Sequence, residues 1–130
     1  MCGIIGISSN KSVSSSIINS LKKLEYRGYD SAGIATLSDG LISEVKSEGR
    51  VENLENNFDL KNLSGNIGIG HVRWATHGVP NSVNAHPHSS DNVSVVHNGI
   101  IENSTLLKKY LLGKGHKFKS QTDTEVIVHL

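Results

Sequence analysis

The stretch Met1-Cys2-Gly3-Ile4-Ile5-Gly6-Ile7 constrains this chain more than any other. Ile4, Ile5 and Ile7 form a short apolar run that reads as a buried strand, which would fix the terminus in a core instead of leaving it mobile. Just before that strand stands Cys2, the one cysteine of the protein. Its side chain is small enough for an aminopeptidase to remove Met1, so the mature chain is expected to begin with a residue carrying both a thiol and a free α-amine. Their reference pKa values, about 8.5 and about 7.7–8.0, let the amine take the thiol proton near neutral pH. An N-terminal amine acting as base for its own nucleophile is a known activation route. Gly3 would let a substrate approach the backbone closely. A lone cysteine is otherwise an inert small hydrophobe, and the rest of the chain has to decide between the two.

With 130 residues, the protein is one domain or a piece of one, able to bury about two-thirds of its unfolded surface. The hydrophobic share of 36% is low mainly because 13 residues are glycine. A net charge of +1 without a basic cluster argues against a nucleic-acid or membrane surface. One cysteine excludes an internal disulfide, and no apolar run has signal or transmembrane length. The expectation is a soluble, cytoplasmic protein.

Val13, Ile17, Ile18, Leu21 and Leu24 recur at helical spacing over residues 11–26, with Asn10 or Ser12 as cap and Gly28 as stop. Residues 33–37 and 41–45 flank Ser38-Asp39-Gly40, a hairpin signal. A short helix is expected within 50–63. Residues 67–72 read as a strand in which Gly68 and Gly70 mark close backbone approach. The Gly68-Ile69-Gly70 spacing is not a dinucleotide fingerprint, since no third glycine follows. Residues 74–92 read as a functional loop, 93–97 as a strand ending in the turn dipeptide Asn98-Gly99, and 104–112 as a helix. A short strand is expected at 116–118. Thr122-Asp123-Thr124-Glu125 reads as a capping box that opens a further helix. That helix is still apolar at Leu130, so the chain is expected to be a fragment of a longer protein.

Polar residues gather in four clusters, at 27–31, 73–77, 86–88 and 97–99. A thiolate attacking a carboxamide builds charge on the carbonyl oxygen, and a side-chain amide beside a glycine N–H can receive it. Asn98 and Gly99 fit that role, although the pair alone reads first as a plain hairpin turn. Arg73, at a strand end, can grip a carboxylate through two parallel hydrogen bonds or simply sit solvated. Thr76 and His77 are near enough in sequence to add donors. Asp123 can bind an ammonium group or serve its own helix terminus. Seven histidines, above all His86-Pro87-His88 with His77 and His97, raise a metal site, but a His-x-His around a proline with an ordinary acidic content is weak support for one. No metal or organic cofactor is expected.

Taken together, these motifs resemble the class II glutamine amidotransferases. The carrying residues are 1–6, Glu25-Tyr26-Arg27-Gly28-Tyr29-Asp30-Ser31-Ala32-Gly33, His71-Val72-Arg73-Trp74-Ala75-Thr76-His77-Gly78, Asn84-Ala85-His86-Pro87-His88, Val96-His97-Asn98-Gly99-Ile100-Ile101-Glu102-Asn103 and Thr122-Asp123-Thr124-Glu125. Within that class they are most similar to the glutaminase domains of glutamine–fructose-6-phosphate aminotransferases. Phosphoribosyl-pyrophosphate amidotransferases usually carry His-Arg-Gly-Gln where this chain has Tyr26-Arg27-Gly28-Tyr29. The resemblance implies an α+β fold, the N-terminal-nucleophile α/β/β/α sandwich of antiparallel sheets, of which residues 1–130 supply the N-terminal part. It implies Cys2 as nucleophile, with Asn98 and the Gly99 N–H as oxyanion hole. It further implies that Arg73, Thr76 and His77 hold the glutamine carboxylate and Asp123 its amine. By the same carry-over His86 belongs to the site, Trp74 to the loop closing over glutamine, and Arg27 and Gly28 to the wall near Cys2. The partners implied are L-glutamine and, through sugar-isomerase domains outside these residues, fructose 6-phosphate, in a homo-oligomeric full-length enzyme. The competing class is a binding module that senses glutamine without turnover.

Overall fold

Four strands form the main sheet: β1 (Gly3–Ser8), β2 (Ser31–Ser38), β3 (Leu41–Glu48) and β4 (Ile67–Arg73). A computed structural model describes residues 1–75 and 78–130. The strands run in the order β1-β4-β2-β3, every pair antiparallel. Asp39 and Gly40, both at positive φ (52° and 75°), turn β2 into β3 as expected of Asp-Gly.

Strand alternation sorts β4 into two rows. Gly68, Gly70 and Val72 share a face with Ile5 and Ile7 of β1 and with Ala32 and Ile34 of β2. Helix α1 (Ser14–Leu24) lies on that face and buries Ile17, Ile18 and Leu21 completely. A Cβ on Gly70 would stand 2.5 Å from Ile17, and one on Gly68 would stand 2.6 Å from it. The two glycines therefore admit the helix, which is the close approach they signalled. Short helix α2 (Glu52–Asn57) adds Leu54 to the same core, beside Val51.

Two details of the terminus differ from expectation. Gly3 faces α1, where a Cβ would stand 2.9 Å from Leu24, so its small size serves helix packing and not substrate approach. Among the described residues β1 has a neighbour on one side only, and Ile4, on the face away from α1, is 41% exposed. The strand is half-buried because it is an edge. At the start of α1, Val13 occupies the cap position, and neither Asn10 nor Ser12 caps it. Packing and the bond from the Val13 N–H to the Gly65 carbonyl (3.1 Å) set that end instead. A 3₁₀ turn, Glu25–Arg27, leads into Gly28 at φ +108°, which ends the helix as expected.

The opposite face carries the second layer. Strands β5 (His88–Ser89) and β6 (Ser94–Val95) pair antiparallel, α4 (Glu125–His129) packs on both, and α3 (Ser104–Gly113) packs on α4. The layers thus run helix, sheet, sheet, helix. Lys46 pins this layer to β3 by donating to the Pro87 and Val83 carbonyls (3.1 and 3.3 Å). The expected strand at 93–97 shrinks to two residues, and 116–118 is irregular, its rings resting on His129 instead of pairing in a sheet. The capping box does not form. The Glu125 carboxylate accepts the Lys119 and Ser120 N–H groups (2.7 Å each), and the Thr122 hydroxyl bonds His88 Nε2 (2.8 Å).

Gly33, on β2, lets the His86 carbonyl press directly onto the sheet; a Cβ there would overlap that oxygen. Gly33→Ala is expected to cost about 1–3 kcal/mol in urea unfolding. Gly113→Ala, at a helix end with open space around it, is expected to be neutral or stabilising by up to about 1 kcal/mol.

Candidate active site

The second row of β4 (Ile69, His71 and Arg73) looks away from α1 and toward the second layer. Because Gly3 pairs with Val72, Cys2 lies one step further along, beside Arg73. The backbone N–H of Trp74 donates to Cys2 Sγ at 3.1 Å, placing a donor where charge forms when the thiol loses its proton. That segment is held by Asp30. Its N–H donates to the Arg73 carbonyl (2.8 Å), and its carboxylate accepts the Ala75 N–H. A Cβ on Gly28 would stand 2.9 Å from the Trp74 ring, so that glycine leaves room for the indole.

Asn98 and Gly99 stand across from Cys2. No strand follows them, so the hairpin reading fails. The Asn98 Nδ2 donates to the Cys2 carbonyl (3.2 Å), and its Oδ1 faces His71 Nε2 (2.8 Å). Gly99 sits at φ +142°, a backbone geometry that favours glycine. Asp123 is 8% exposed, and its carboxylate accepts the Ile101 N–H (2.7 Å). The acid therefore ties the 99–101 segment in place instead of capping α4.

A cavity of about 540 Å³ joins these groups. Cys2, Arg73, Trp74, His86, Asn98, Gly99 and Asp123 all line it, together with Met1, Arg27 and His97. Arg73 is 3% exposed and donates to the Val79 carbonyl (3.4 Å). A buried cation and a buried carboxylate in one cavity suit a zwitterionic amino acid, whose two charged ends would meet opposite charges. Thr76 and His77, also expected at the carboxylate, lie outside the described residues. Among the described residues no group of three or more His, Cys, Asp or Glu is arranged to hold a metal ion.

The model of the glutamine amidotransferase domain matches residues 59–130. The chain belongs to the glutamine amidotransferase family. Over its whole length it is 60% identical to a glutamine–fructose-6-phosphate aminotransferase (isomerizing) of Clostridium acetobutylicum, covering 22% of that protein. It is 56% identical to the protein of that name from Pyrococcus horikoshii, again covering 22%. The chain thus spans about a fifth of the length of these relatives. Among solved structures it superposes on a glutamine phosphoribosylpyrophosphate amidotransferase from B. subtilis with TM-score 0.83 and 30% identity, covering all of this chain and 29% of that one. The structure of an allosteric regulatory enzyme of purine biosynthesis matches similarly, with TM-score 0.84 and 31% identity. The expected antiparallel α+β architecture is that of these amidotransferases.

Sequence reasoning gives His71 and Asp30 no role at the site, and brings in His97 only as a cluster member and a candidate metal ligand. The signal for His71 was there in the period of two, since it shares a strand face with Arg73. Asp30 stood in a recognised cluster without a role. His97 could not be placed from sequence; its ring bonds the Thr124 hydroxyl (3.1 Å) and its N–H donates to His86 Nδ1 (3.3 Å), both partners distant along the chain.

Three histidines pack together behind the cavity. The His71 and His86 rings stack at 4.3 Å, and His86 meets His88 edge-on at 4.7 Å. Burial lowers all three pKa values, His71 to about 4 and His88 to about 3, with His86 also strongly depressed by its neighbours. In the native state they stay neutral, whereas the unfolded chain protonates them below about pH 6.5. Their stability is therefore present above that pH and lost as pH falls toward 4. The unfolding free energy from urea titration is expected to be flat from pH 7 to 8 and to drop steeply below pH 6.5, by up to about 1.4 kcal/mol per pH unit for each histidine, carrying the urea midpoint down with it. A flat midpoint down to pH 5 would contradict neutral burial.

Proposed function

We propose that this chain hydrolyses glutamine to glutamate and ammonia, with Cys2 as an N-terminal nucleophile. The single observation that carries this reading is the convergence of Cys2, Asn98-Gly99, Arg73 and Asp123 on one cavity. Met1 is 73% exposed at its mouth, open to an aminopeptidase. Removal of Met1 frees the Cys2 α-amine, which takes the thiol proton. The thiolate attacks the carboxamide carbon, and the carbonyl electrons move onto oxygen, where Asn98 Nδ2 and the Gly99 N–H receive the charge. The ammonium form of the amine returns its proton to the leaving nitrogen, ammonia departs, and water then hydrolyses the glutamyl thioester. Arg73, with Thr76 and His77, holds the glutamine carboxylate, and Asp123 its amine. His86 and Trp74 wall the bound substrate.

The relatives' shared name supports a further reading. The ammonia is used to make glucosamine 6-phosphate from fructose 6-phosphate, with the sugar chemistry in domains outside these residues. Residues 1–130 then form the N-terminal part of the glutaminase domain of a cytoplasmic, homo-oligomeric enzyme. Neither a metal nor an organic cofactor enters the glutaminase steps.

Cys2→Ala is expected to abolish ammonia release in a coupled assay. Asn98→Ala is expected to lower kcat about 100- to 1000-fold with a smaller change in KM, because the donor acts on charge that forms only in the transition state. Retained hydrolysis in Cys2→Ala would overturn the nucleophile; wild-type glutamine binding without ammonia release would identify a sensor instead.

A further inference from the structure

The amide of Asn98 has two faces of nearly equal shape, and only one of them suits an oxyanion. Rotating the amide by half a turn would exchange its NH2 for a carbonyl oxygen, turning a stabilising donor into a repelling acceptor. Something must choose between the two. The group in contact with the far side of that amide is the His71 ring, with Nε2 at 2.8 Å from Asn98 Oδ1.

We propose that His71 is a positioning residue for the reaction: its Nε2–H holds Asn98 Oδ1 and thereby keeps the Asn98 NH2 turned toward Cys2. The proposal rests on the reading of Asn98 as an oxyanion donor. His71 is completely buried in the central strand of the site, flanked by Ile4 on β1 and Gly33 on β2. Its ring is held flat against His86 at 4.3 Å and 17°. His86 is itself fixed, because its Nδ1 accepts the His97 N–H (3.3 Å), the residue before Asn98. Both sides of the amide's anchor are thus built into the fold.

The tautomer follows from the surroundings. His71 Nδ1 is buried and accepts no hydrogen bond from the described residues. The Cys2 carbonyl can only accept, so the Asn98 NH2 faces it and Oδ1 faces His71, where a ring N–H is required to satisfy it. The neutral ring therefore carries its proton on Nε2, the nitrogen that faces Asn98. Burial keeps it neutral at physiological pH.

The test is a double-mutant cycle on glutamine hydrolysis. His71→Leu removes the Oδ1 anchor and leaves the amide held only by its bond to the Cys2 carbonyl, so kcat is expected to fall about 10- to 100-fold while KM changes less than about two-fold. His71→Gln, whose amide nitrogen reaches the Nε2 position, is expected to recover activity to within about five-fold of wild type. In an Asn98→Ala background, His71→Leu is expected to have no further effect on kcat, because the group it positions is gone. Equal losses in both backgrounds, or a rise in KM with unchanged kcat, would overturn the proposal. If Asn98→Ala alone leaves kcat unaltered, the oxyanion reading fails first, and the positioning role with it. Should His71→Leu not fold, His71→Asn gives the same comparison, since its shorter amide retains polarity but cannot reach Asn98.

Discussion

The antiparallel pairing of β1 with β4 carries the rest of the structure, because it sets which residues look toward which layer. With Gly3 opposite Val72, Gly68 and Gly70 fall under α1, and His71 and Arg73 fall on the other side. A slip of one residue would turn every one of these side chains to the wrong face. The core under α1 and the cavity above the sheet are therefore two consequences of a single register. The site owes its place to helix packing on the far side of the same strand.

Rigidity follows from polar groups that are satisfied by distant partners. Asp30 holds the Trp74 segment, Asp123 holds Ile101, and the His71–His86 stack holds the residues around Asn98. Each tie joins stretches far apart in sequence, so the groups that would meet substrate rest on the folded framework and not on local turns. Burying three neutral histidines to achieve this makes the framework dependent on pH. The positive charge at the cavity comes from Arg73 and Arg27, which remain charged when the rings do not.

Local rules made much of the fold legible. Helical spacing located α1, Asp-Gly located the β2–β3 turn, and the glycines of β4 announced close approach. The misreadings have a common physical cause. Asn98-Gly99 has the composition of a hairpin turn and Thr122–Glu125 that of a capping box, but their side chains bond to residues 27 and more positions away or to a preceding loop. Sequence order places Gly3 beside Cys2 and so suggests substrate approach; the strand alternation sends it to the opposite face. The candidate residues Cys2, Arg73, Trp74, His86, Asn98, Gly99 and Asp123 do meet at one cavity; the period of two puts His71 on the face of Arg73, but its contact with Asn98 and that of Asp30 with Ala75 emerge only in the folded chain.

The central claim is that Cys2 becomes a terminal nucleophile in a cavity that takes glutamine. Intact mass spectrometry of the protein, after exposure to an electrophilic glutamine analogue with and without excess glutamine, tests it most directly. The account predicts a chain lacking Met1 that carries a single adduct on Cys2, formed in the absence of glutamine and suppressed by its excess. A chain that keeps Met1, or an adduct that glutamine does not suppress, would contradict it.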